Sequence, residues 1–160
     1  MTEEINKQIK LLKKYGVNDY VIENGRIVIN GSPWLNSLTT APENFLSKTT
    51  INEGLWLNSL TTVPENFLEG ATISGGLSLD SLTTVSGNFL FKTTINGSLW
   101  LDSLTTVPEN FLSNTIVEGW VTRKNVHKYG FLSRNKNTDK IAQFVKDNVL
   151  EGEEIEINYQ

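Results

Sequence analysis

The strongest constraint on this chain is repetition at a fixed interval. The segment WLNSLTTVPENFL occupies residues 56–68, and near copies begin at Trp34, Ser78 and Trp100, a spacing of 22 residues throughout. A period of this size means that each unit is one supersecondary turn, unable to bury its apolar face until neighbours stack on it. The large apolar residues of a unit contribute roughly 1.5–3 kcal/mol each on burial, whereas ordering its backbone costs roughly 1–2 kcal/mol per residue. One unit alone cannot stand, so the copies fold as a single stack.

Within a unit, the inward set is Ile51, Leu55, Leu57, Leu60, Val63 and Phe67, and it recurs as Ile73, Leu77, Leu79, Leu82, Val85 and Phe89. Leu55 and Leu57 alternate with Trp56, which predicts a short strand with leucines inside and tryptophan outside. Stacked coils then form a parallel sheet. Gly75 and Gly97 mark a bend before that strand, and Pro42, Pro64 and Pro108 stand where the chain leaves it for the outer arc, a place that gives up no ladder hydrogen bond.

The flanks read as end pieces. Thr2 caps a helix with Glu3 and Glu4 in its first turn and Ile5, Ile9 and Leu12 at helical spacing, and Gly16 stops it. Asn24-Gly25 between two β-branched runs predicts a hairpin. After Gly119 the repeat fades, and Trp120 falls two places ahead of the tryptophan position. A helix is expected at Asp139–Val149 behind Thr138, and a last strand in EEIEINY. The predicted fold is therefore mainly β: a right-handed β-solenoid of four 22-residue coils over 31–119, with a helix-hairpin cap at 1–30 and an α+β cap at 120–160.

The pattern L-x-L-x-x-L-T-x-V-P-x-x-F, carried by Leu55 to Phe67, resembles short bacterial leucine-rich repeats, and LLKKYGVNDYVIENGRIVING resembles the lead-in of leucine-rich-repeat-like proteins of phage and bacterial genomes. The asparagine ladder of longer leucine-rich repeats is not evident, which favours a plainer β-solenoid. The resemblance implies a binding module with no catalytic residues to carry over. It also implies a phage-encoded product acting in the cytoplasm of a bacterial host, in its concrete version an inhibitor of a host defence protein.

Composition narrows the chemistry. The 160 residues include no cysteine, which removes disulfides, thiolate metal sites and thiol nucleophiles. The N-terminus lacks the pattern of a secretory signal and no apolar run approaches a membrane span, so a soluble cytoplasmic protein is expected. The net charge of −4 is unevenly spread. Residues 31–118 hold two lysines against eight carboxylates, while 123–140 holds six basic residues against Asp139, an asymmetry that points to a partner.

The outward column Trp34, Trp56, Ser78, Trp100 is the leading candidate contact surface. With coils ~4.8 Å apart, Trp56 and Trp100 are expected about 10 Å apart with only a serine between them, which leaves a slot. The neighbouring column Asn36, Asn58, Asp80, Asp102 supplies acceptors beside the rings. Rigid aromatics beside polar groups are typical of binding hot spots; a ladder that only shields the sheet is the competing reading. Ser86-Gly87 replaces Pro-Glu in the Ser78 unit, and Phe91 replaces a small or acidic residue, so that coil is altered on both its strand and its arc.

A basic run, Arg123, Lys124, His127, Lys128, Arg134 and Lys136, is interleaved with Tyr129 and Phe131. Lys128-Tyr129-Gly130-Phe131-Leu132 and NVLEGEEIEI are similar to cold-shock-type OB folds, in which aromatics stack bases and basic residues meet phosphates. The expected helix at Asp139–Val149 departs from that family, which has a strand there. Catalysis finds no support: His127 is the one histidine and lacks a nucleophile or metal-ligand spacing around it, Asp80 and Asp102 read as an exposed acidic ladder, and Gly75-Gly76 sits at a coil corner. The sequence thus predicts no enzyme, cofactor or metal. It favours a protein partner on the tryptophan face, ahead of nucleic-acid binding or mimicry and of a nucleotide-like aromatic ligand between Trp56 and Trp100; a homodimer through uncovered solenoid ends also fits.

Overall fold

The computed structural model describes residues 1–106, 108, 111–112 and 114–123. The expected helix at Asp139–Val149, the closing strand, the OB-like segment and the basic residues from Lys124 onward lie outside the described residues.

Helix α1 spans Glu3–Lys14, and the Thr2 side chain accepts a hydrogen bond from the Ile5 amide. Glu3 and Glu4 favour its positive end, and Lys13 and Lys14 its negative end. Glu3 and Lys7 pair across one turn at 3.0 Å; the ammonium holds the Glu3 carboxyl below its usual value, and the carboxylate raises Lys7. Gly16, at φ +78°, turns the chain out of the helix. Strands β1 (Tyr20–Glu23) and β2 (Arg26–Ile29) form the antiparallel hairpin, with Asn24 at φ +50° and Gly25 at +73° as its two turn residues. That conformation matches the natural twist of paired strands and explains why Asn-Gly stands there.

Each following coil carries two short strands, not one. The first set is β3 (Thr50–Ile51), β5 (Thr72–Ile73), β7 (Thr94–Ile95) and β9 (Ile116–Val117); the second is β4 (Leu55–Trp56), β6 (Leu77–Ser78), β8 (Leu99–Leu101) and β10 (Val121–Arg123). They build a β-solenoid with two sheets, ordered β1-β2-β3-β5-β7-β9 and β10-β8-β6-β4, in which all pairs beyond the hairpin are parallel. The hairpin is thus the first layer of one sheet. The pairing also runs past Gly119 to Arg123, since β10 lies beside β8.

The register equals the sequence period. Ile51 pairs with Ile73, Ile73 with Ile95 and Ile95 with Val117, while Leu55 pairs with Leu77 and Leu77 with Leu99. Glycine is required where coils approach most closely: a Cβ on Gly97 would lie 2.6 Å from the Gly75 carbonyl carbon, and one on Gly119 2.6 Å from that of Gly97.

Most of the expected inward set is fully buried, but Val63 and Val85 are only partly so. The larger correction concerns Leu46, Leu68, Leu90 and Leu112, which sequence reading left out of the core and which are buried directly after Phe45, Phe67, Phe89 and Phe111. In a strand, consecutive residues face opposite ways. Here the four leucines adopt φ between +51° and +58°, so the chain folds back and puts both side chains inside. The strain of a left-handed leucine, of order 1–3 kcal/mol, is set against burial of a leucine side chain, roughly 1.5–3 kcal/mol. The carbonyls on this arc are satisfied from the next coil: Thr93 Oγ1 donates to Leu68 O at 2.7 Å and Thr115 Oγ1 to Leu90 O at 2.8 Å.

Helix α1 closes the stack through Gln8. Its Nε2 donates to Asn44 O at 2.8 Å and its Oε1 accepts from the Leu46 amide at 2.6 Å, pairing backbone groups that would otherwise be buried unmet. Arg26 ties the hairpin to two coils, donating to Lys48 O and to Gly70 O at 2.8 Å each.

Candidate functional site

The tryptophan column is a line of paired backbone positions. Trp34 bridges Trp56, Trp56 pairs with Ser78, and Ser78 pairs with Trp100; the next position is Thr122, so Trp120 stands outside the column as expected. The sheet turns these side chains away from the core because the residues on either side of each are buried, Pro33 and Leu35 around Trp34 and a pair of leucines around the other three.

The expected slot between Trp56 and Trp100 does not exist. Their ring centroids are 5.7 Å apart with 20° between planes, and Trp34 stacks on Trp56 at 5.6 Å and 31°. A ring inserted between two others needs two gaps of about 3.5 Å, so nothing fits between Trp56 and Trp100, and the expected nucleotide-like ligand has no place there. The cause lies in the bend residues. The Trp56 ring lies against Gly54 of its own coil, where a Cβ would meet it at 3.4 Å. The Trp100 ring swings back one coil and covers Gly76, where an added Cβ would lie 2.3 Å from Cζ3 and 2.6 Å from Cη2. The two indoles meet over Ser78, which is 2 % exposed. Gly76 was the sequence signal for this closure, but its meaning depends on a ring orientation that no local pattern specifies.

Ser78 is engaged beneath the rings. Its hydroxyl bonds to Asn58 Oδ1 and lies 3.1 Å from Asp80 Oδ2, while Ser81 Oγ donates to Asn58 O. Asn36 Oδ1 accepts from the Asn58 amide at 2.9 Å, and Thr122 Oγ1 donates to Asp102 Oδ1 at 3.2 Å. The Asn36, Asn58, Asp80, Asp102 column is therefore half-buried and links coils to one another; it is not a row of free acceptors beside the rings. Asp80 Oδ1 is buried without a hydrogen-bond partner. Under the rings, the altered Ser78 coil is thus bonded into the stack.

Three stacked indoles present mostly edges. Trp34 differs: it ends the stack and is 70 % exposed, whereas Trp56 and Trp100 are half-buried. Beside it opens a cavity lined by Tyr15, Asn18, Asp19, Ile29, Pro33 and Trp34 among others, a junction of cap and first coil that no sequence motif announced. Trp120 is a second exposed ring, at 45 %, and its amide accepts no place in the column but donates to Ser98 Oγ at 3.0 Å.

Of the basic set, Arg123 ends β10, and Lys124, His127, Lys128, Arg134 and Lys136 lie outside the described residues. Among the described residues there is no group of three or more His, Cys, Asp or Glu placed to hold a metal, and no helix long and apolar enough to cross a membrane. Comparison with protein-family models, with curated proteins and with solved structures gives no match.

Proposed function

We propose that the protein is a non-catalytic interaction module that meets a protein partner with the tryptophan end of its solenoid, Trp34 foremost and the edges of Trp56 and Trp100 behind it. The observation that carries this reading is a continuous stack of three indoles whose last ring stands 70 % exposed. A large apolar ring already stacked on a neighbouring ring loses less conformational freedom on contact than a free one, which suits a hot-spot anchor. Shielding the sheet accounts for Trp56 and Trp100, which are half-buried, but leaves the exposure of Trp34 unexplained.

The resemblance of the lead-in makes a bacterial host protein the first partner to test. A protein captured from host lysate by the wild type is purified and its affinity measured against the wild type and Trp34→Ala. We expect a loss of roughly tenfold to thirtyfold, the size of a hot-spot truncation of about 2 kcal/mol, with an unchanged far-ultraviolet circular dichroism spectrum. Equal affinities for the two forms rule this reading out.

A further inference from the structure

The exposed face of Trp34 and the cavity beside it define a chemistry more specific than hydrophobic contact. Trp56 covers Trp34 from within the stack, and Trp34, but not Trp56, lines the cavity of ≈ 430 Å³ on the cap side. Asp19 lines the same cavity. Its Oδ1 accepts from Asn30 Nδ2 at 2.9 Å and its backbone carbonyl from the Asn30 amide at 3.1 Å, so one bond holds the carboxylate and a second the backbone of Asp19 to the residue that follows β2. Among the described residues that line the cavity, none is basic. Lys14 lies 5.6 Å above the ring of Tyr15, and Ser32 at the rim is bonded to Glu53 Oε2 at 3.0 Å.

We propose that this cavity takes an arginine side chain of a basic partner, its guanidinium stacked on Trp34 and bonded to the Asp19 carboxylate. The proposal rests on the reading of the tryptophan end as a contact face, and names what that face recognises. A flat cation gains from the negative face of an indole, most of all tryptophan. Its fork of donors matches a carboxylate, and its weak hydration makes it easier to bring against a ring than a lysine ammonium. The coils behind the cavity have the matching sign, since residues 31–118 hold eight carboxylates against two lysines, while the cap at 1–30 is close to balance with four carboxylates against five basic residues; the field of the coils steers a basic partner toward the site. A nucleic acid brings a flat ring as well, but its phosphates meet the same carboxylates with repulsion.

The test follows the indole N–H resonance of Trp34, assigned by its disappearance in Trp34→Phe, during titration with N-acetyl-arginine amide, N-acetyl-lysine amide and N-acetyl-citrulline amide. The expected result is a saturable shift with the arginine probe, a weaker one with lysine and none with citrulline, which keeps the shape but not the charge. Asp19→Asn keeps the bond to Asn30 and should weaken the arginine response by roughly threefold to tenfold. No shift with arginine, an equal shift with citrulline, or an unchanged response in Asp19→Asn overturns the proposal. The two readings fail separately. Partner binding that depends on Trp34 without an arginine response leaves the contact face and removes the guanidinium; an arginine response with partner affinity unchanged in Trp34→Ala does the reverse.

Discussion

Inside the coils, Phe45 stacks on Phe67 with centroids 6.0 Å apart and 7° between planes, and Phe89 on Phe111 at 6.3 Å and 4°. Outside, Trp34, Trp56 and Trp100 stack at 5.6 and 5.7 Å with tilts of 31° and 20°. Both columns follow the same 22-residue period, yet the inner pairs Phe45–Phe67 and Phe89–Phe111 keep their rings nearly parallel, which neither outer pair does. A buried phenylalanine is fixed by neighbours on every side, so identical coils give parallel rings. An outer indole is held on one side only, and its orientation follows whatever lies beneath: Gly54 for one ring, Gly76 for another. A repeat therefore passes its geometry to its core more faithfully than to its surface.

The largest test of that contrast compares truncations. Phe67→Ala should lose about 3–5 kcal/mol of unfolding free energy, while Trp34→Ala, which gives up one stacked pair, should lose no more than about 1.5 kcal/mol. Urea unfolding of both variants checks this, and losses of similar size would remove the distinction between the columns.

Next is the apparent repair of the repeat. Ser78→Trp fills the column but forces an indole into the place where Trp56 and Trp100 already meet, above a buried hydroxyl bonded to Asn58 and Asp80. It should destabilise the protein by roughly 2–3 kcal/mol; a gain in midpoint denaturant concentration would show that the rings part freely.

Gly76→Ala acts on the ring orientation itself. The new methyl clashes with Trp100, whose atoms lie 2.3 Å from its position, and the indole must leave. The near-ultraviolet exciton signal of the Trp56–Trp100 pair should fall, with a stability loss of about 1–2 kcal/mol. A retained signal means that Trp100 is not seated over Gly76.

The smallest effect concerns the arc that turns Phe and Leu inward together. Lys92 is held at φ +55° and is exposed, and the matching position one coil earlier is Gly70 at +68°. Lys92→Gly should raise stability by about 0.5–1 kcal/mol, because glycine reaches this conformation without a Cβ penalty. The contact of Lys92 with the Phe91 ring at 5.1 Å limits the gain. A thermal melt reads the sign.

Much of the molecule was legible in the sequence. The period gave the stacking interval, alternation about Trp56 gave the inner and outer sides of one strand, and Asn24-Gly25 gave the hairpin. The second strand of each coil was missed because Thr49-Thr50-Ile51 sets one apolar residue after two threonines and shows no apolar alternation, whereas Leu55-Trp56-Leu57 does, although both strands are equally short. The left-handed leucines were missed because leucine is a poor signal for that conformation. At the candidate site the column was read correctly as a line of positions, but not its depth or its spacing.

By itself the sequence determined that each coil lies on the last with a shift of 22 residues, because a unit with this much apolar surface and this little chain has no other way to bury it. Only the tertiary structure decided that Trp100 reaches across a coil to Trp56, that Ser78 lies closed beneath them, and that the end ring of the column, Trp34, stands open in the cavity that Asp19 also lines. Backbone register follows from local pattern repeated many times. The direction of a surface ring depends on a few neighbours from other coils and from the cap, and these meet only after the chain has folded.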